Sequence, residues 1–508
     1  MSPPRILIIG AGSRGEAYSR AIQSATSGII SCIAEPFTSK RERFGKKFIW
    51  KAGAPSEGQS FVGWKEFIQW ETTRRAREAA GEHDVPPGVD AAFVCVLDEM
   101  HREVVVGLGP LGLHIMCEKP LATRMRDCVD MYRAVRGGVS EEPKSLFSIG
   151  HVLRYSPHNI LLRKLILEDR AIGDVLSVEH TEPVGWWHFA HSYVRGNWRD
   201  SRTSAPTLLT KSCHDIDFLL WLLCSPAKPS GEAHLPQTVS SAGSLQFFRK
   251  PRKPAAAKDA TNCLSCPLAD EGCNYSAKHI YVGPKFRGLE SQPGGQTGWP
   301  TKIVLPDVED YPNLDAKREA LLAQLSEDYD SETPAAEVSA RGWYGRCVFE
   351  SDNNVADDEV VTITWDDDAS SPGKLAKRAV FHMTAHTQRI CDRYSKIYGT
   401  DGEIAADSRT ISVTRFDTQS VQTFTPTIED TGHGGGDIGL TRQFVTAVDK
   451  VKNEGWAVDT AQKEIIGCTL DEVLRSHAMV FAAEEARSRG ATVEWSQWWD
   501  KEVNAALG

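Results

Sequence analysis

Apolar residues fall along this chain in two rhythms. In the first 150 residues they come in short, nearly unbroken runs: Arg5-Ile-Leu-Ile-Ile, Gly28-Ile-Ile-Ser-Cys-Ile-Ala34, Val89–Val96, Leu113–Cys117 and Ser145–His151. Runs of this length, separated by polar stretches with helical periodicity, predict strands buried on both faces of a parallel sheet and alternating with helices. Helices are expected from Glu16 to about Ser24 and at Trp64–Ile68. From about residue 158 the rhythm becomes alternation, at Val175–Thr181 and near 359–365, 378–386 and 409–424. That pattern predicts an antiparallel sheet with one solvated face. Late helices are expected over Gly439–Val448 and Ala461–Arg487, and a polar stretch at about 225–345, rich in Pro, Gly, Lys and Glu, has no readable period.

The turn that leaves the first strand gives this pattern its chemistry. Gly10, Gly12 and Gly15 are spaced G-x-G-x-x-G, with Ser13 and Arg14 between the last two, and a helical pattern follows at once. In a strand–turn–helix context Gly10 makes the tight turn, Gly12 lets backbone approach a pyrophosphate, and Gly15 lets helix and strand pack closely. The helix N-terminus adds unpaired N–H groups and a partial positive charge. Glu35 ends the second strand, twenty residues after Gly15, where a carboxylate can accept the ribose hydroxyls and repels a 2′-phosphate. NAD is therefore expected over NADP. The expected fold is α/β: an N-terminal Rossmann dinucleotide-binding domain over 1–155, then an α+β C-terminal domain over 156–490 with a large, mostly antiparallel open sheet. Residues 491–508 read as a tail.

Composition narrows the setting. The chain has 508 residues, 41% of them hydrophobic and 25% charged, which is an ordinary globular balance with room for two to three domains. A net charge of −10 argues against nucleic-acid binding, because phosphate recognition needs a basic field. No uncharged apolar run reaches membrane-spanning length. The first strand starts at Arg5, so no signal peptide is expected, and the cytoplasm is the expected compartment. Cysteines such as Cys32, Cys95 and Cys117 lie in apolar strands and read as reduced core residues. Cys263-Leu-Ser-Cys266 and Cys273 present a C-x2-C hairpin and a third thiol. With a fourth ligand from Cys347 or Cys213 they could hold a structural zinc, and a metal-free cluster is the alternative.

Glu118-Lys119-Pro120 behind a dinucleotide-binding half, with Asn197-Trp-Arg199 and Lys211-Ser-Cys-His214-Asp215-Ile-Asp217 downstream, resembles the glucose–fructose oxidoreductase/inositol dehydrogenase (Gfo/Idh/MocA) family. Gly434-Gly-Gly-Asp437 before a closing helix adds to the likeness. The resemblance implies hydride transfer between a nicotinamide and a hydroxyl-bearing carbon of a sugar, sugar acid or cyclitol. It implies that Glu118 and Lys119 lie at the cofactor, that Lys119 also touches the substrate oxygen, and that His214 accepts the hydroxyl proton. A histidine suits that task because it titrates near neutrality.

One position departs from the family pattern. Many relatives carry an aspartate four residues before the histidine; here it is Thr210, with Lys211 beside it. Lys211 is therefore a third catalytic candidate. The cations Lys119, Lys211, Arg154 and Arg195 could converge on an acidic sugar, or could pair with Glu182, Asp215 and Asp217. On the expected helix, Ile216, Leu219, Leu220 and Leu223 form an apolar stripe opposite Lys211, His214, Asp215 and Phe218. Arg154, Tyr155, Arg195, Trp198 and Asp215 are the candidates for substrate contact. Two further functions stay open: an NAD-dependent glycosidase working by transient oxidation and elimination, and a non-catalytic dinucleotide-binding regulator. The expected partners are a small carbohydrate and further copies of the chain, as a homodimer or larger homo-oligomer, with no nucleic acid and no membrane.

Overall fold

The computed structural model describes residues 1–136, 143–228, 231–368, 371, 373–429 and 432–507. Strand β1 (Arg5–Ile9) turns at Gly10 into helix α1 (Ser13–Ala25), and β2 (Ile29–Ala34) returns beside β1. With β3 (Ser60–Phe61), β4 (Ala91–Val94), β5 (His114–Cys117) and β6 (Phe147–Ile149) they form a parallel sheet ordered β3-β2-β1-β4-β5-β6. Ile6, Leu7, Ile8 and all of β4 are closed off from solvent, as unbroken apolar strands require. Strand order reverses between β1 and β4, so a crevice opens beyond their carboxyl ends.

The second half holds a nine-stranded sheet. Its strands are β7 (Val175–Pro183), β8 (Thr238–Ser244), β9 (Asp358–Trp365), β10 (Lys377–Thr384), β11 (Tyr394–Gly399), β12 (Gly402–Asp407), β13 (Ile411–Arg415), β14 (Val421–Phe424) and β15 (Val493–Glu494). The order is β14-β13-β12-β11-β7-β10-β9-β8-β15, antiparallel throughout except for the β7–β10 pair. Against one face lies helix α2 (Cys213–Leu223).

Four of these strands were not legible in the sequence. β11 and β12 each carry a single aliphatic residue larger than alanine, and their hairpin is held by that buried pair, Ile397 and Ile404, facing each other. β8 buries only Val239, so its residues read as the start of the polar stretch, although they pair along the whole of β9. β15 lies in the expected tail. It edges the sheet, and Trp495 and Trp498 behind it are buried.

The polar stretch after β8 folds on its own small core, in which Ile280, Tyr281, Leu289, Val304, Leu321 and Leu325 pack together around helix α3 (Leu314–Ser326). Helix α4 (Gly436–Glu454) crosses back to pack on α1, with Phe444 edge-on to Phe93 at 5.4 Å, so late sequence helps to cover the first sheet. The expected helix over 461–487 is interrupted at Gly467 (φ +65°). It restarts as α5 (Leu470–Arg489), where Thr469 and Glu472 cap each other reciprocally. α5 packs on α2 and β8 and ties the two sheets together.

Candidate active site

The three glycines of the first turn have different surroundings. A Cβ on Gly10 (φ +98°) would lie 2.4 Å from the Cys95 carbonyl oxygen, and one on Gly15 would lie 2.1 Å from that of Gly10. A Cβ on Gly12 would meet nothing within 4 Å. Gly10 and Gly15 are thus demanded by the fold, whereas the space at Gly12 is open. No side chain caps the first turn of α1, which leaves its N–H groups facing that space. Glu35 is buried at the end of β2 and accepts the Ala11 N–H at 2.8 Å and the Phe37 N–H at 3.0 Å, bracing the glycine loop. A dinucleotide therefore fits this cradle.

Arg14 reaches across the crevice mouth. Its Nε donates to Glu118 at 2.6 Å and its Nη2 to Asp437 at 2.7 Å, linking α1, the end of β5 and the start of α4. The Tyr18 hydroxyl donates to the same Glu118 oxygen at 2.6 Å, and the other oxygen accepts the Lys119 N–H at 3.0 Å. Burial raises the Glu118 carboxyl, but the Arg14 charge, the Tyr18 hydrogen bond and the Lys119 charge together outweigh it and hold the group below its usual range. Two buried histidines fix the turn that follows. His101 Nδ1 donates to the Pro120 carbonyl at 2.7 Å, and His477 Nε2 accepts the Leu121 N–H at 2.8 Å. Lys119 is thereby aimed into a cavity of about 1180 Å³. Its Nζ donates to the Thr210 carbonyl at 2.5 Å and lies 5.9 Å from the Trp198 ring centre. Trp198 Nε1 donates in turn to Asp98 at 2.8 Å. Asp98 lines the same cavity, and burial raises its carboxyl.

His214 lines the cavity beside Lys211, in a charge network organised by Arg393. Arg393 Nε donates to Asp215 at 2.5 Å, its Nη2 is 2.8 Å from Glu182, and the same Nη2 is 2.7 Å from His214 Nε2. Lys211 pairs with Glu182 at 2.9 Å and donates to the Cys391 thiol at 3.1 Å. His180 Nε2 meets Asp215 at 3.1 Å. Two cations thus face two fully buried carboxylates. A guanidinium can only donate, so His214 Nε2 accepts and the ring is neutral with its proton on Nδ1. Burial first, and then the Arg393 charge, holds His214 well below the ordinary histidine range, against the pull of Asp215. Arg393 had no sequence signal: it precedes a weakly patterned strand, 179 residues from its histidine. Asp98 could have been found as a carboxylate just past the end of β4.

Of the expected substrate contacts, Trp198 lines the cavity, and Arg154, Tyr155, Arg195 and Asp215 do not. Arg154 is buried and gives both Asp217 oxygens a hydrogen bond, at 2.7 and 2.8 Å, with Glu472 at 3.2 Å; it is a strut between the 152–155 turn, α2 and α5. Tyr155 is buried in the same turn. Arg195 turns the other way, donating to the carbonyls of Arg346 at 2.7 Å and Tyr275 at 2.8 Å, which braces the insertion. The expected convergence of four cations therefore does not occur: Arg154 and Lys211 are paired, and Arg195 is elsewhere. The two faces expected of α2 are present in that His214 and Phe218, with Lys211 just before the helix, line the cavity while Ile216, Leu219, Leu220 and Leu223 do not. All eleven of its residues are buried, because the second sheet, the 152–155 turn and α5 enclose it, and its two carboxylates are matched by Arg393 and Arg154.

The cysteines sort into two places. Cys263, Cys266, Cys273 and Cys347 surround one small space, while Cys213 lies apart, beside His151 and His477. The four thiols are not among the described groups whose ligand atoms all come within 4.8 Å of one another, and Arg195 Nη2 stands 3.3 Å from Cys263 Sγ. A guanidinium at that place does not fit a cation site as arranged. The group that does meet the distance, His151, Cys213 and His477, is occupied otherwise, since His477 Nδ1 donates to the Val473 carbonyl at 2.8 Å while Nε2 accepts from Leu121.

Residues 4–138 match the oxidoreductase family with an NAD-binding Rossmann fold, Gfo/Idh/MocA. That match takes in strands β1 to β5 of the parallel sheet and the helices between them. Over 155 residues it is 31% identical to 2,7-anhydro-N-acetylneuraminate hydratase of Escherichia coli, covering 30% of this chain and 37% of that protein. Over 154 residues it is 31% identical to inositol 2-dehydrogenase 2 of Saccharopolyspora erythraea, covering 29% and 40%. The match thus spans less than half the length of these curated relatives. Levoglucosan dehydrogenase, solved with NADH and levoglucosan, shares the fold over 97% of this chain and 99% of its own, with a TM-score of 0.58 at 15% identity. Among the described residues no helix is long and apolar enough to cross a membrane.

Proposed function

We propose that this protein is an NAD-dependent oxidoreductase that moves hydride between the nicotinamide and a hydroxyl-bearing carbon of a sugar, sugar acid or cyclitol. The observation that carries the reading is one cavity lined by Lys119, Asp98, Trp198 and His214 and opening at Ser13 and Arg14, at the N-terminus of α1. The glycine turn would hold the pyrophosphate through backbone, and Glu35 would take the adenosine ribose. The bound nicotinamide supplies the hydride acceptor. Lys119, positioned by Glu118 and the two buried histidines, would donate to the substrate oxygen and steady the charge that grows there. The hydroxyl proton has two acceptors within the cavity, the neutral His214 and the carboxylate of Asp98. For His214 to accept at Nε2, Arg393 must first let go of it.

The Arg393–His214 contact and Thr210 in the aspartate position also favour a second reading, a redox-assisted glycosidase in which oxidation is transient. Incubating the protein with NAD and a panel of sugars and glycosides separates the two. Net absorbance at 340 nm indicates a dehydrogenase, and sugar release without it indicates the glycosidase. Neither signal across the panel would refute both. Preference for NAD over NADP rests on Glu35, and equal or tighter NADP binding by calorimetry would refute it. We also propose assembly through the outward face of the second sheet, where Val360, Val380 and Tyr398 are half-buried. A mass near 56.0 kDa by light scattering would refute it.

A further inference from the structure

The insertion after β8 forms one wall of the cavity. Trp299, Arg287, Ile303 and Tyr344 come from it, and they face Trp187 and His191 of the main domain. The wall is aromatic on both sides: Trp187 and Trp299 lie 5.0 Å apart at 35°, and His191 meets Trp299 edge-on at 5.5 Å. Burial keeps both His188 and His191 below the ordinary histidine range, His191 at about 3, so neither ring carries charge here near neutrality.

Arg287 is different. Its guanidinium rests over the Trp299 ring at 5.6 Å, it is exposed to the cavity mouth, and it has no carboxylate or carbonyl partner among the described residues. Of the other cations lining the cavity, Lys211 and Arg393 are engaged by Glu182 and Asp215, Arg14 by Glu118 and Asp437, and Lys119 by the Thr210 carbonyl, while Arg409, in the turn between β12 and β13, is exposed as Arg287 is but rests on no aromatic ring among the described residues.

This wall is also held in place. Lys302, three residues after Trp299, pairs with Glu16 in the first turn of α1 at 3.3 Å. Arg43 pairs with Glu309 at 2.8 Å and Asp310 at 3.0 Å. On the other side the insertion is anchored by Arg195 and by the Trp343 N–H on the Arg195 carbonyl at 2.9 Å. The insertion therefore spans both domains with Trp299 and Arg287 fixed over the cavity.

We propose that the insertion builds a second sugar subsite, in which one ring of the substrate lies against Trp299 and its carboxylate meets Arg287. The substrate class that fits is an acidic disaccharide or glycoside whose reacting ring sits by Lys119. The proposal rests on the oxidoreductase reading for that reacting ring, but the subsite is a binding claim and can be measured without turnover. Apolar sugar faces rest on indole rings, and a planar guanidinium is suited to a carboxylate.

The test is calorimetric titration of the full chain, with and without NADH, using uronic-acid-containing disaccharides of several linkages, their neutral counterparts and the component monosaccharides. At least one acidic disaccharide should bind about tenfold more tightly than its neutral counterpart and than either monosaccharide. Arg287→Ala should erase the preference for acid over neutral. Trp299→Phe should keep, and Trp299→Ala should lose, the advantage of the disaccharide. NADH affinity and melting temperature should stay at wild-type values in Arg287→Ala. Equal binding of acidic and neutral sugars across the panel, no binding at all, or an acid preference that survives Arg287→Ala would each overturn the subsite. If NADH fails to bind while the sugar preferences hold, the cofactor reading falls and the subsite stands.

Discussion

Arg393→Met tests the buried charge network directly. The guanidinium is almost wholly enclosed and faces Asp215 at 2.5 Å, Glu182 at 2.8 Å and His214 Nε2 at 2.7 Å. Methionine fills much of the same space and removes the charge. Glu182 keeps Lys211 at 2.9 Å, but Asp215 is left with His180 at 3.1 Å and His214 at 3.3 Å, both of them histidines. Removing one partner of a buried ion pair costs about 3–5 kcal/mol. The remaining neighbours can offset part of that only by His214 or His180 taking up a proton. Urea unfolding at pH 8, where such uptake is least favourable, should show a loss in that range. The loss should shrink at pH 6, and Arg393→Met with Asp215→Asn should be more stable than Arg393→Met alone. The His214 ring, watched by NMR, should titrate at higher pH than in the wild type, since one of the influences lowering it is gone. A loss below about 1 kcal/mol at both pH values, or an unmoved His214, would refute the network as described.

The glycine turn gives a second contrast. Gly12→Ala should leave the melting temperature unchanged and weaken dinucleotide binding at least about tenfold, whereas Gly15→Ala should lower the melting temperature; the reverse pattern in paired calorimetry would refute the assignment. Lys119→Ala should retain NADH binding and lower turnover by about two to four orders of magnitude, and wild-type turnover on a true substrate would refute its role. Glu359 is buried beside Glu484, and burial followed by that second carboxylate raises it to about 8. It therefore holds its proton in the folded state over a range where the unfolded chain has lost it, so stability should fall as pH rises from about 4.5 to 8. Glu359→Gln should flatten that slope in urea unfolding, and an unaltered slope would count against the shift. Elemental analysis of the purified protein should find less than one equivalent of zinc, with Arg195 occupying the space beside Cys263.

The parts of this protein that the sequence determined are those written in neighbouring residues. Buried parallel strands announce themselves as nearly unbroken apolar runs, so β1, β2, β4 and β5 could be placed from the order of residues alone. Gly10 and Gly15 are read from spacing because the backbone leaves no room for a Cβ there. Lys119 and His214 follow from short motifs, and both do line one cavity. What sequence could not decide was partnership at long range. A buried charge has to find its opposite through the fold, so whether Arg154 meets substrate or Asp217, 63 residues away, depends on how the 152–155 turn sits against α2. Arg393 reaches His214 because β11 pairs with β7, and β11 carries almost no pattern of its own. The insertion is the extreme case. Its residues are polar because most face water, yet its few aromatic positions are brought over the cavity by ion pairs to α1 and by Arg195. Local periodicity records burial, and burial is what the hydrophobic effect fixes in sequence. The matching of charges and the walls of the cavity are settled only when distant segments meet.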